Sequence, residues 1–405
     1  MNPSRQLFAG AALALLCAGC ETLPEEAPAG GPRSALPAAT VADRRPPVPE
    51  RDRVLYDYRT AATALRAGDY DEAKARLDDA IARIGGIIAN DADAERARGL
   101  FSPESTKVFI GEPYERVMAY YYRGLLYWRD GERDNARACF RSGQVIDSNP
   151  GSTPESYAAD YVLLDYLDGL ASAKLGADGR DALARARAHA GPKLSLPDYS
   201  PAANVLLFAE YGYGPRKFAG GQYGEQLRFH VEDSPSRSAR LVLDGGRRVV
   251  PLPAYDDLGY QATTRGGRVM DHILGNKAYF KAAANTAGDV ALVGSAIAND
   301  QARHRERRGK DDNEADAAAL GLGILGVIGK IASAATHAEA DTRQWNNLPQ
   351  RLSFAALTLP PGDYLGRLEF LGRDGNVLVS RSRPVKFTVS AGDRDTVVFL
   401  SELKP

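Results

Sequence analysis

The chain has 405 residues, 44% of them hydrophobic, with 51 Lys and Arg against 52 Asp and Glu. These ordinary globular values exclude a disordered chain, a collagen and a coiled-coil rod, and at about 150 residues per domain they predict two or three domains. A formal net charge of −1 speaks against a nucleic-acid partner, which calls for a basic excess, and three cysteines are too few for a disulfide scaffold.

Arg5 precedes an apolar stretch from Leu7 to Leu16 that ends in Leu16-Cys17-Ala18-Gly19-Cys20. The stretch is shorter than the roughly 20 residues of a membrane span and has the order of a signal segment. Small residues before a cysteine resemble the lipobox of bacterial lipoproteins. That resemblance implies cleavage before Cys20, acylation of Cys20 and, with Glu21 rather than Asp next, sorting to the outer membrane. The alternative is an ordinary secretory signal that contains cysteine. Several acyl chains on one residue would anchor stably where one would not. Residues 21–50 hold seven prolines and too little apolar surface to fold, so they read as a semi-rigid tether.

From Val54 to Ala190 the apolar period is near 3.6. Gly68-Asp69-Tyr70-Asp71-Glu72-Ala73 with Leu77 and Ala80 is one helix-turn-helix pattern. A second joins Tyr120, Gly124 and Tyr127 to Gly131, Ala136, Phe140 and Gly143. A turn glycine ends one helix, an acidic residue starts the next, and small residues let the two approach. Both patterns resemble tetratricopeptide (TPR) repeats. Gly68 and Gly131 are 63 residues apart, so the array is irregular, with an insertion near residues 85–113. Gly169, Gly176, Ala182 and Ala186 suggest a third pair. Within the insertion, Gly111-Glu112-Pro113-Tyr114-Glu115-Arg116 reads as a helix start: Pro113 suits the first turn and Glu115 the positive end of the dipole. Cys139 reads as a small core residue.

Strand patterns follow at Asn204–Glu210, Gln226–Val231 and Ala239–Leu243. They return at Arg351–Leu359, Tyr364–Leu371, Val377–Ser380, Val385–Val389 and Thr396–Leu400. Their spacing favours an antiparallel sandwich. Gly212-Tyr213-Gly214-Pro215-Arg216-Lys217 reads as a loop. Residues between the two strand groups are rich in alanine and predict helices over Val269–Arg308 and Glu314–Ala340. Ala317–Gly329 is thirteen residues without charge, short for a membrane span. Its glycines every third residue make a small face suited to close packing, against Ala282–Ala298, against another protomer or in a membrane.

The expected organisation is therefore an α+β multidomain chain. Residues 1–19 are a lipoprotein signal peptide, 20–50 a Pro-rich tether and 51–200 a TPR-like helical domain. Residues 201–405 form a discontinuous β-rich, sandwich-like domain (201–266 and 345–405) interrupted by a helical insertion at 267–344.

Three strings carry a further resemblance. Gly111–Arg116 leads into Tyr120-Tyr121-Tyr122-Arg123-Gly124-Leu125; Gly214-Pro215-Arg216-Lys217 opens the second half; Asp341-Thr342-Arg343-Gln344-Trp345-Asn346-Asn347-Leu348-Pro349 closes the insertion. Together they resemble a family of proteobacterial lipoproteins of unassigned activity with TPR-like helices, which implies an envelope location. They single out Glu112, Pro113, Tyr114, Arg116, Asp341, Arg343 and Trp345 as an interaction or structural signature. Asp341 and Arg343 are expected to pair, with Trp345 packed beneath.

The five histidines (His189, His230, His272, His304 and His337) are dispersed, and no HExxH, GxSxG or Walker A string occurs. No metal, cofactor or catalytic residue is expected. The leading expectation is a non-enzymatic scaffold, held in the outer membrane by acylated Cys20, facing the periplasm and binding envelope proteins, with a homo-oligomer open. The alternatives are a cell-wall glycan-binding or glycan-processing protein and a membrane-active or self-assembling protein working through the glycine-rich hairpin.

Overall fold

The computed structural model describes residues 48–89, 108–148, 161–192, 194–221, 226–265 and 340–405. Cys20, the tether and the insertion helices predicted between Val269 and Glu339 lie outside them. The described residues form a mixed α+β structure.

Six helices come in three antiparallel pairs: α1 (Arg53–Ala67) with α2 (Tyr70–Ala89), α3 (Pro113–Asp130) with α4 (Arg133–Asp147), and α5 (Val162–Lys174) with α6 (Arg180–Ala190). The three inner helices share one register. Val54, Leu55, Tyr58, Ala61 and Ala62 correspond to Val117, Met118, Tyr121, Gly124 and Leu125 63 residues on. They correspond again to Val162, Leu163, Tyr166, Gly169 and Leu170 a further 45 on. All of these positions are buried. Gly68, Gly131 and Gly176 follow in the same register, with φ of 81°, 91° and 76°, the left-handed conformation that closes a helix and suits glycine. The outer helices bury a narrow stripe: Ala73, Leu77 and Ala80 on α2, and Ala136, Phe140 and Gly143 on α4. Gly124 is required, because a Cβ there would meet Cε1 of Phe140 at 2.6 Å.

Three sheets follow. The central one has the order β10 (Thr396–Ser401), β1 (Val205–Tyr211), β7 (Arg351–Leu357), β6 (Asp256–Asp257). The outer one has the order β5 (Arg248–Leu252), β4 (Ser238–Leu243), β8 (Gly362–Leu371), β9 (Arg383–Val389), all antiparallel. A separate hairpin pairs β2 (Arg216–Gly220) with β3 (Gln226–His230). A short helix, α7 (Leu258–Arg265), packs against α3 and β3.

Every residue of β1 is buried because both faces of the central sheet are covered. One face presents Leu206, Phe208, Leu352 and Phe354 to the helices. The other presents Val205, Leu207, Ala209 and Tyr211 to Leu241, Leu252, Leu368 and Phe370 of the outer sheet. The helices therefore share a core with the central sheet. The repeated tyrosine packs on an aromatic side chain from beyond residue 200 in each pair: Tyr121 meets Phe208 of β1 edge-on at 6.3 Å, Tyr166 lies 5.8 Å from Phe354 of β7, and Tyr58 stacks at 4.3 Å on Trp345, which precedes β7.

The strands depart from expectation in several places, the two-residue β6 among them. β1 and β10 run parallel, so the central sheet is not purely antiparallel. Val377–Ser380 contributes only an isolated bridge from Val377 to Leu371; Val379 beside it is exposed and has no core to alternate against. β5 escapes the pattern because Pro251 interrupts it, which suits the edge position it holds. β2 escapes it because its one buried residue is Lys217.

Candidate functional site

The three strings singled out by resemblance meet at one junction between the helices, the β2–β3 hairpin and the segment that follows residue 340. At its centre Lys217 Nζ lies 2.6 Å from Glu115 Oε2, with both side chains almost wholly buried. The sequence places them there locally. Pro113 and the residues after it start α3, and Glu115 reaches back to accept the Glu112 N–H at 2.7 Å, one arm of a capping box. On β2 the alternation turns Lys217 inward while Arg216 and Phe218 face out.

Further hydrogen bonds tie this pair to the helices and to the segment after residue 340. Glu115 Oε1 accepts the Trp345 N–H at 2.7 Å. Lys217 Nζ donates to the Arg343 carbonyl at 3.0 Å, and its backbone N–H donates to Gln344 Oε1. Arg59 donates to the Gln344 carbonyl at 2.6 Å, and Asn347 donates to the Arg59 carbonyl at 3.0 Å. Arg343 holds Asp341 through Nε at 2.9 Å and Nη2 at 2.7 Å. It also holds Asp52 through Nη1 at 2.8 Å and lies over the Phe109 ring at 5.5 Å. Trp345 is buried beneath, between Tyr58 and Tyr122. Tyr114 packs edge-on to Phe229 at 6.0 Å. Burial pushes the Glu112 carboxyl above its ordinary range; Lys217 opposes the shift and the Glu115 charge adds to it.

Glu112, Tyr114, Asp341, Arg343 and Trp345 are thus all part of one region, and Pro113 starts the helix that organises it. Arg116 lies near enough to bias Glu112 and Tyr58 electrostatically. His337 and Glu339, which sit in the same polar string, lie outside the described residues. Sequence reasoning missed the central pair. Glu115 looks like a helix-dipole residue, and nothing in one dimension pairs it with a lysine 102 positions away.

Two further buried charge centres join helices to strands. Glu210 on β1 accepts from Arg66 at 2.7 Å, Tyr122 at 2.5 Å and Ser401 at 2.7 Å. Asp395, before β10, accepts from Trp128 at 2.8 Å, Arg133 at 3.1 Å and Lys174 at 2.8 Å. A polar cleft of about 300 Å³ opens beside that second centre, between Arg133, Lys174, Asn204 and Asp393. Asp256 caps α5 by accepting the Val162 and Leu163 N–H groups at 2.8 and 3.0 Å. Burial pushes the Cys139 thiol up to about 12, so it is protonated at neutral pH. Among the described residues no group of three His, Cys, Asp or Glu is placed to hold a metal, and no helix is long and apolar enough to cross a membrane.

Compared with protein-family models, with curated proteins and with solved structures, the chain finds no match.

Proposed function

We propose that the chain is a non-enzymatic scaffold of the bacterial envelope: a TPR-like array of three helix pairs fixed on a sandwich-like β module, tethered to the outer membrane by acylated Cys20 and facing the periplasm. The observation that carries this reading is the junction. The strings that set the chain apart in sequence supply a buried ion pair and a stacked Trp345 that fix the helices in place. Their chemistry is positioning, which suits a platform that presents a surface to partners. The shared register of the three helix pairs supports the TPR-like description, since stacked repeats bury one continuous core and leave an extended face for protein contacts. On that reading the exposed sides of α2 and α4 are the partner-binding positions.

The test is crosslinking of the acylated protein in its native envelope, read by mass spectrometry. Discrete envelope proteins crosslinked to α2 and α4 are the expected result. Crosslinks confined to a second copy of the chain would replace the scaffold with self-assembly. Substituting Cys20→Ser should move the protein from the outer-membrane fraction to the periplasm; retention in the membrane fraction would place the anchor elsewhere.

A further inference from the structure

The edges of the two packed sheets are finished differently. β6 is only two residues long, both aspartate. β5 carries an exposed Pro251, and β9 an exposed Pro384 and Lys386. Short strands, proline and lysine are devices that keep an edge from pairing with another chain. β10, the outermost strand on the other side of the central sheet, has none of them. Thr396-Val397-Val398-Phe399-Leu400-Ser401 contains no charge, no proline and no glycine, the composition of a strand that pairs with its like. The Thr396 N–H donates to the Asn204 carbonyl at 2.8 Å and the Glu402 N–H to the Glu210 carbonyl at 3.0 Å, so the even-numbered residues bond β1. The N–H and C=O groups of Val397, Phe399 and Ser401 therefore point away from the sheet. All three residues are partly exposed, whereas every residue of β1 is buried. Among the described residues no other backbone group bonds theirs.

We infer that β10 is the contact strand of a homodimer, pairing antiparallel with β10 of a second copy about a two-fold axis at Phe399. Outward-pointing groups must bond outward-pointing groups, which sets Phe399 opposite Phe399 of the second copy and Val397 opposite Ser401 of the second copy. Directly opposite side chains share a face of the sheet. The phenylalanine pair therefore continues the helix-side core, and Val398 opposite Leu400 of the second copy continues the sandwich core. No like charges oppose each other: Asp395 and Glu402, which flank the run, are ion-paired within their own chain, and the register sets Glu402 against a threonine. This self-match carries the choice of occupant. The Pro-rich segment before Val48 lacks a backbone donor at each proline, and the alanine-rich insertion carries a helical pattern, so neither matches the edge as β10 itself does. The inference stands apart from the scaffold and lipid-anchor readings.

Sedimentation velocity of the full chain carrying Cys20→Ser tests it over a range of concentrations. Any contribution of the N-terminal apolar stretch is then common to every variant. The parent should dimerise reversibly. Val397→Pro removes one outward N–H and leaves the bonds to β1 in place, and the two-fold axis makes the loss count twice, so association should weaken at least about tenfold. Val397→Lys, which puts on β10 the guard that β9 carries, should weaken it at least as much. Val249→Lys, on the edge strand β5, should change nothing. Unchanged circular dichroism confirms that the variants fold. Hydrogen exchange locates the contact: the amides of Val397, Phe399 and Ser401 should exchange more slowly as the parent's concentration rises. A parent that stays monomeric, or a dimer that neither Val397 variant weakens, would overturn the pairing. Slow exchange of the three amides at every concentration would also overturn it, by placing a segment of the same chain on the edge.

Discussion

The two faces of the central sheet are built by different rules. Toward the outer sheet the core is mainly Val, Leu, Ala and Phe with Tyr211, and the buried polar side chains on that face of β7 are Ser353 and Arg351, across from Ala209 and Tyr211. Toward the helices the core is aromatic and pinned by buried charge: Glu115 with Lys217, Glu210 with Arg66, and Asp395 with Lys174. An aliphatic interface tolerates many packings of similar volume. A buried ion pair tolerates one geometry, because either partner left alone is costly. The sandwich interface therefore supplies generic burial, and the helix interface supplies placement.

That contrast breaks most visibly under substitution. In the sandwich, Phe370→Ala should cost about 4 kcal/mol, the transfer and cavity terms for a buried aromatic, while Phe370→Leu should cost far less; urea midpoints measure both. At the junction, Lys217→Met keeps the volume yet should cost about 3–4 kcal/mol by stranding Glu115. Adding Glu115→Gln should recover only part of that loss. The carboxylate also accepts from Trp345 and Glu112, and one amide oxygen cannot serve both as well. A double substitution as stable as wild type would remove the junction's claim to placement.

Gly124→Ala sharpens the helical side of the comparison. Its Cβ would fall against Phe140, and overpacking should cost about 2 kcal/mol, despite alanine's better helix propensity. Asp52→Asn loosens the partly exposed edge of the junction and should cost under about 1 kcal/mol. The smallest effect is a pH signature. The Glu112 carboxyl is raised in the folded state by burial, so ionising it opposes folding. Its contribution is best below the unfolded value near 4.3 and is lost as pH rises through the folded value. Glu112→Gln should raise the urea midpoint at pH 7 and leave it unchanged at pH 3.

How much of this was legible follows the same division. The six paired helices and most strands of the two packed sheets carry apolar periods of 3.6 or 2, and the period is a local property of the chain. The turn glycines Gly68 and Gly131 announce left-handed caps for the same reason. The strings around Glu112 and Asp341 could be singled out, and the Asp341–Arg343 pair is a contact two residues apart. The Glu115–Lys217 and Glu210–Arg66 pairs could not be read, since they join segments 102 and 144 residues apart. A lysine at the one buried position of β2 also hides the strand that carries it. The 63- and 45-residue offsets blur the repeat in sequence, yet the same five positions of α1, α3 and α5 are filled in each pair.

The central claim is that buried charge couples the helices to the central sheet. Native-state hydrogen exchange at rising urea tests it most directly. The account predicts that amides of α3, of β1 and of β7 reach one common opening free energy, and that Lys217→Met lowers all three together. A separate, lower plateau for α3 in the wild-type protein, with β1 and β7 unmoved by the substitution, would contradict it.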